Sequence, residues 1–134
     1  GTYYMEGDVR IAGGPGDGDN PWIATIITTG SIRISGNPYM LPDNPDLLFV
    51  AGRDIHIGAA STQHYEGFIL AHEQIEINGT PVIEGAIIAE NAEHISHLVT
   101  ENNISGNATI GYDGSLDPPF PKTYTGLLGL LSRH

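Results

Sequence analysis

The sequence predicts an all-β chain wound as a right-handed parallel β-helix (β-solenoid) of about five coils, with a C-terminal capping or docking tail. Three observations carry the prediction. One phrase returns about every twenty residues, with copies opening at positions 3, 26, 49 and 69, and self-similarity at such a period marks stacked repeats. Each copy ends in strict alternation, as Val9-Arg10-Ile11, Ile32-Arg33-Ile34, Ile55-His56-Ile57 and Ile75-Glu76-Ile77. Period-two alternation puts the aliphatic side chains on one face and the polar one on the other. The connections between copies are too short or too rich in glycine and proline for an alternating strand–helix sheet. An antiparallel sandwich, the other all-β architecture built from short strands, has no reason to repeat one phrase in one register.

Each copy opens with an apolar pair or triplet: Tyr3-Tyr4, Ile26-Ile27, Phe49-Val50-Ala51 and Ile69-Leu70-Ala71. A turn follows at Gly7, at Gly30 and at the pair Gly52-Arg53, then the alternating strand, then Gly13, Gly36, Gly58 or Gly79 at a corner. The inward ladders are therefore Val9/Ile32/Ile55/Ile75 and Ile11/Ile34/Ile57/Ile77. A third inward ladder is either Tyr3/Ile26/Phe49/Ile69 or its neighbour Tyr4/Ile27/Val50/Leu70, since the opening run is apolar on both faces. The outward ladder between the aliphatics is Arg10/Arg33/His56/Glu76. Loops join the copies at 13–20, 37–46 and 59–66, and the short connection 78–85 holds Pro81-Val82-Ile83, a candidate third strand. A fifth copy opens at Ile87-Ile88-Ala89 and loses its pattern at Glu93. The solenoid is placed at residues 1–117. Residues 118–134 form a proline- and leucine-rich tail, whose prolines stop the coil.

Composition narrows the function. With no cysteine, the chain has no disulfide, thiolate metal site or cysteine nucleophile. Sixteen acids against five bases give a net charge of −11, which repels phosphate backbones and argues against a nucleic-acid partner. No apolar run reaches the ~20 residues of a membrane span. Membrane attachment is thus expected only through a segment absent from this chain, which opens inside a strand-like phrase.

The phrase Gly1-Thr2-Tyr3-Tyr4-Met5-Glu6-Gly7-Asp8-Val9 resembles the start of the β-helical C-terminal domain of bacterial type IV pilus-associated, PilX-like proteins. The runs 24–32, 47–55 and 77–89 are similar to recurrent strings of that family, and 104–113 to its ending, so the likeness extends to about Asp113. Bactofilin-like cytoskeletal proteins share the Gly-Asp-Ile-x-Ile phrase. The resemblance implies a pilus-linked or surface structural role, an extracellular or cell-surface location, and no catalytic residues to carry over.

Candidate sites are few. Asp17, Asp19 and Asn20 lie in an oxygen-rich loop that would suit Ca²⁺, the one cofactor considered, although their spacing is not that of an EF-hand and a plain turn is the favoured reading. His94 and His97 beside Glu93, and His72 beside Glu73, are metal-ligand types without a second cluster to complete a site. Asp8, Asp54 and Glu76, read as outward positions, are the acids a glycan-cleaving solenoid would use, while Trp22, Tyr39 and Tyr65 are loop aromatics that would bind a sugar without catalysis or equally cap or pack the coils. Leu127, Leu128, Leu130 and Leu131 form an apolar patch that would cap the coil or dock on another subunit. The expected function is a non-catalytic structural module of a surface appendage or filament, partnered by other subunits or by itself. The alternative is a carbohydrate-binding or carbohydrate-cleaving β-helix.

Overall fold

Parallel strands stack rung on rung through residues 1–59, 63–92, 98–99, 101–106 and 108–111, the part of the chain that the computed structural model describes. In chain order they are β1 (Thr2–Met5), β2 (Val9–Ile11), β3 (Trp22–Ile23), β4 (Thr25–Thr28), β5 (Ile32–Ile34), β6 (Tyr39–Leu41), β7 (Leu47–Ala51), β8 (Ile55–Ala59), β9 (His64–Ala71), β10 (Ile75–Gly79), β11 (Val82–Ala89), β12 (Asn103–Ile104) and β13 (Thr109–Gly111). The first sheet runs β1-β4-β7-β9-β11-β13 and the second β12-β10-β8-β5-β2, with every pair between these strands parallel. The result is a parallel β-solenoid of about four turns. Glu93 and the tail with Leu127, Leu128, Leu130 and Leu131 lie outside the described residues.

The alternating phrases stack in the expected register. Val9, Ile32, Ile55 and Ile75 form one column, and Ile11, Ile34, Ile57 and Ile77 another. From Ile32 onward these side chains are at most 3% exposed, and each contributes roughly 1.5–3 kcal/mol by leaving water. The ambiguous third column resolves to Ile26, Phe49 and Ile69, all buried. Its neighbour Tyr4/Ile27/Val50/Leu70/Ile88 faces outward and is exposed or half-buried. Pairing between β7 and β9 slips between Leu47 and Phe49. This one-residue bulge lets Leu48 and Phe49 both enter the core.

Two strands per repeat is an undercount. A third strand face runs through β3, just after the loop 13–20, and β6, inside the proline-rich loop 37–46. It joins the first sheet at β9, whose start pairs with β6 (Tyr39↔His64, Met40↔Tyr65) and whose end pairs with β7. Strand β11 then follows β9 over its whole length. Val82-Ile83 is therefore the start of a long strand, with Pro81 just before it, and 64–66 is strand as well.

Corners are closed by one polar column. Asp8, Ser31, Asp54 and Gln74 each precede an alternating strand. The Ser31 amide donates to the Asp8 carboxylate at 2.8 Å, the Asp54 amide to the Ser31 hydroxyl at 3.1 Å, and the Gln74 amide to Asp54 Oδ1 at 3.1 Å. The column ends with Gln74 Nε2 donating to Asn91 Oδ1 at 2.7 Å. Asp8, Ser31 and Asp54 thus each accept an amide from the following coil, which satisfies backbone groups that the turn would otherwise leave unpaired, while Gln74 donates onward.

Among the described residues Tyr65 is the largest fully buried side chain. Its ring meets Phe49 edge-on at 5.9 Å, while its hydroxyl has no hydrogen-bond partner among the described residues. Burial pushes that phenol well above its ordinary range, so it stays neutral. A buried hydroxyl without a partner costs its desolvation. Tyr65→Phe is therefore expected to raise stability by about 1 kcal/mol in urea denaturation; a loss of stability would mean that the hydroxyl is satisfied.

Candidate functional site

On the outer face of the first sheet, the alternation of β9 sends His64 and Glu66 outward around buried Tyr65. Strand β11 repeats this with Val82 and Glu84 around buried Ile83. The β9–β11 register stacks Val82 on His64 and Glu84 on Glu66. His64 Nε2 lies 3.1 Å from Glu66 Oε1. One ligand atom from each of His64, Glu66 and Glu84 falls within 4.8 Å of the others. From the rung below, Tyr39 stacks on the His64 ring with centroids 4.2 Å apart and planes 12° from parallel. The rung neighbour of Glu84 on the other side is Gly111, which has no side chain.

Like charges directly opposite on adjacent strands are destabilising. Glu66 has only His64 as an ion-pair partner among the described residues, and Glu84 has none. Arg10 and Arg33 stand on the other sheet, where they continue into His56 and Glu76, joined by a 2.9 Å contact. That outward ladder is the expected one.

A shallow groove of about 510 Å³ lies over the turn that follows β4, β7 and β9. Val50 and Leu70 line it, with His72 and Glu90 at one side. His72 Nδ1 and Glu90 Oε2 are 2.9 Å apart and exposed. Glu73, the neighbour first paired with His72, is buried instead.

The remaining expected sites are placed as follows. The Asp17 carboxylate accepts the amides of Asp19 and Asn20 at 2.9 and 2.8 Å, and the Asp17 amide donates to the Asn20 carbonyl at 3.0 Å. Asp17 thus closes a local turn, the geometry that Asx residues adopt in loops. The acids first read as outward do not share a face. Asp54 is fully buried in the corner column, its second carboxylate oxygen accepting the Val99 amide at 2.9 Å. Glu76 is on the outer face of the second sheet, and Asp8 is at the exposed end of the corner column. Of the aromatics, Tyr65 is enclosed in the core, Trp22 packs partly against it, and Tyr39 covers His64. Glu93, His94 and His97 lie outside the described residues.

The His64/Glu66/Glu84 cluster escaped sequence reading because 59–66 reads as a polar loop. The signal was present: His64-Tyr65-Glu66 alternates, and Glu84 follows Glu66 by the same 18 residues that separate Ile87 from Ile69. No family model, characterised protein or solved structure matches the chain.

Proposed function

We propose that the chain is a non-catalytic structural module of a bacterial surface appendage, pilus-associated or part of an extracellular filament, and that it works through protein–protein contact. The observation that carries this reading is the chemistry of the two end rungs. At one end Tyr3, Tyr4 and Met5 of β1 are 44%, 75% and 41% exposed; at the other, Ile104 of β12 and Ile110 of β13 are 55% and 41% exposed. Tyr3, Ile104 and Ile110 continue columns that are buried further along the stack. Bare strand edges that expose core-type rows are sites where another chain adds on. Contact between unlike ends repeats without closing, so it propagates as a filament. In the form proposed for the whole chain the coil is right-handed, a fifth coil opens at Ile87, and residues 118–134 cap or dock through Leu127, Leu128, Leu130 and Leu131.

The likeness to PilX-like domains supports the same reading from sequence. A glycan-cleaving role has less support, because Asp54 is sequestered and its partner acids lie on other faces. Light scattering behind size exclusion over a range of concentrations, with electron microscopy, is expected to find end-to-end oligomers, and charged substitutions at Tyr4 and Ile110 to disperse them. A strict monomer at all concentrations would overturn the reading.

A further inference from the structure

We propose that His64, Glu66 and Glu84 form a binding site for a divalent first-row transition cation, with Zn²⁺ as its probe, on the outer face of the first sheet. Three features carry the assignment. The ligand set is one imidazole and two carboxylates, the borderline chemistry that suits Zn²⁺, Mn²⁺ or Co²⁺ better than Ca²⁺, which seeks six to eight oxygens. The ligand atoms are already gathered within 4.8 Å. Bonds of about 2.0–2.2 Å in a tetrahedral site place ligand atoms roughly 3.4 Å apart. His64 and Glu66, at 3.1 Å, have that spacing, and only the exposed Glu84 side chain has to turn inward.

Preorganisation is the second feature. His64 and Glu66 sit two residues apart on one strand, and Glu84 follows on the next rung in an unbroken register of eight pairs. Stacking on Tyr39 fixes the imidazole plane, so little side-chain freedom is left to lose when a cation binds. The third feature is charge. Two carboxylates face each other across adjacent rungs of a chain whose net charge is −11, with no arginine or lysine against them among the described residues. A divalent cation turns this repulsion into attraction. With three protein ligands a fourth position stays open, and Gly111 leaves room beside Glu84 for water or a ligand from another molecule.

The site differs in place and chemistry from the Asp17 turn, where only oxygen donors are present. Isothermal titration of the untagged full chain with Zn²⁺ near neutral pH is expected to show one saturable site. Glu66→Gln and Glu84→Gln should each weaken it at least about tenfold, while His72→Ala, which removes the exposed His72–Glu90 pair, should leave it unchanged. Both glutamates are partly or fully solvent-facing, so the variants retain the fold, which circular dichroism would verify. Co²⁺ in place of Zn²⁺ should give visible absorption bands that His64→Ala abolishes. Absence of saturable binding up to millimolar Zn²⁺, or tight binding that survives both glutamine variants, overturns the proposal.

Discussion

Asp54→Ala is expected to destabilise the protein by about 3 kcal/mol, because two buried backbone amides lose their acceptor at roughly 1–3 kcal/mol each. Those amides belong to Gln74, one coil on, and to Val99, 45 residues away in sequence. Asp54 is fully buried, so water cannot replace the carboxylate without opening the corner. Asp54→Asn should recover only part of the loss, since an amide turns one of its two ends, a donor, toward an amide that is also a donor. Asp8→Ala provides the internal comparison. Asp8 occupies the same place in the phrase and accepts the Ser31 amide, but it is exposed at the end of the column. Its loss should cost less than about 1 kcal/mol, because solvent takes over the freed amide. Urea denaturation of the three variants, read by circular dichroism, tests the order. Equal effects for Asp8→Ala and Asp54→Ala would mean that the corner column does not hold the coils together.

The contrast between Asp8 and Asp54 also locates what was legible in the sequence. Faces of the alternating strands could be assigned from Ile32-Arg33-Ile34 and its copies, because period two leaves one choice of inside and outside. The corner residues escaped that rule. They precede the strand, where the chain is turning, and the side chains of Asp8, Ser31 and Asp54 accept from the following coil. Alternation continued backward from Ile55 would place Asp54 outside, although Asp, Ser, Asp and Gln at one position of four copies all carry polar side chains of suitable reach. The opening run could not be assigned because Ile26-Ile27 and its copies are apolar on both faces; the outward row remains half-buried and apolar in the fold. Strands β3 and β6 were hidden by their length of two and three residues, too short to show a period. Pairing with the rung beside them makes them strands, which is a tertiary effect. The same short-range reading took 64–66 for loop and so missed the histidine and the glutamate that register brings beside Glu84.

Gly85→Ala is expected to cost more than about 4 kcal/mol, a range reached by few mechanisms. Gly85 stacks on Gly67 where β9 and β11 bend between their two halves. A Cβ built on Gly85 would overlap the carbonyl oxygen of Gly67, a backbone atom that cannot rotate away. Neither strand has slack: eight consecutive pairs fix β11 on β9, and on the other side Gly67, with φ of +111°, is itself held close to the Asp46 carbonyl. Relief therefore requires separating two central rungs, with loss of the contacts that bury Ile69 and Ile83. Gly111→Ala is the matched control, on the strand next to β11 and with open space among the described residues where its Cβ would stand. It should change stability by no more than about 0.5 kcal/mol. Soluble yield and denaturation midpoints of the two alanine variants measure the difference. A Gly85→Ala protein as stable as Gly111→Ala would show that β9 and β11 do not approach this closely, and would break the stacking on which the placement of Glu66 and Glu84 depends.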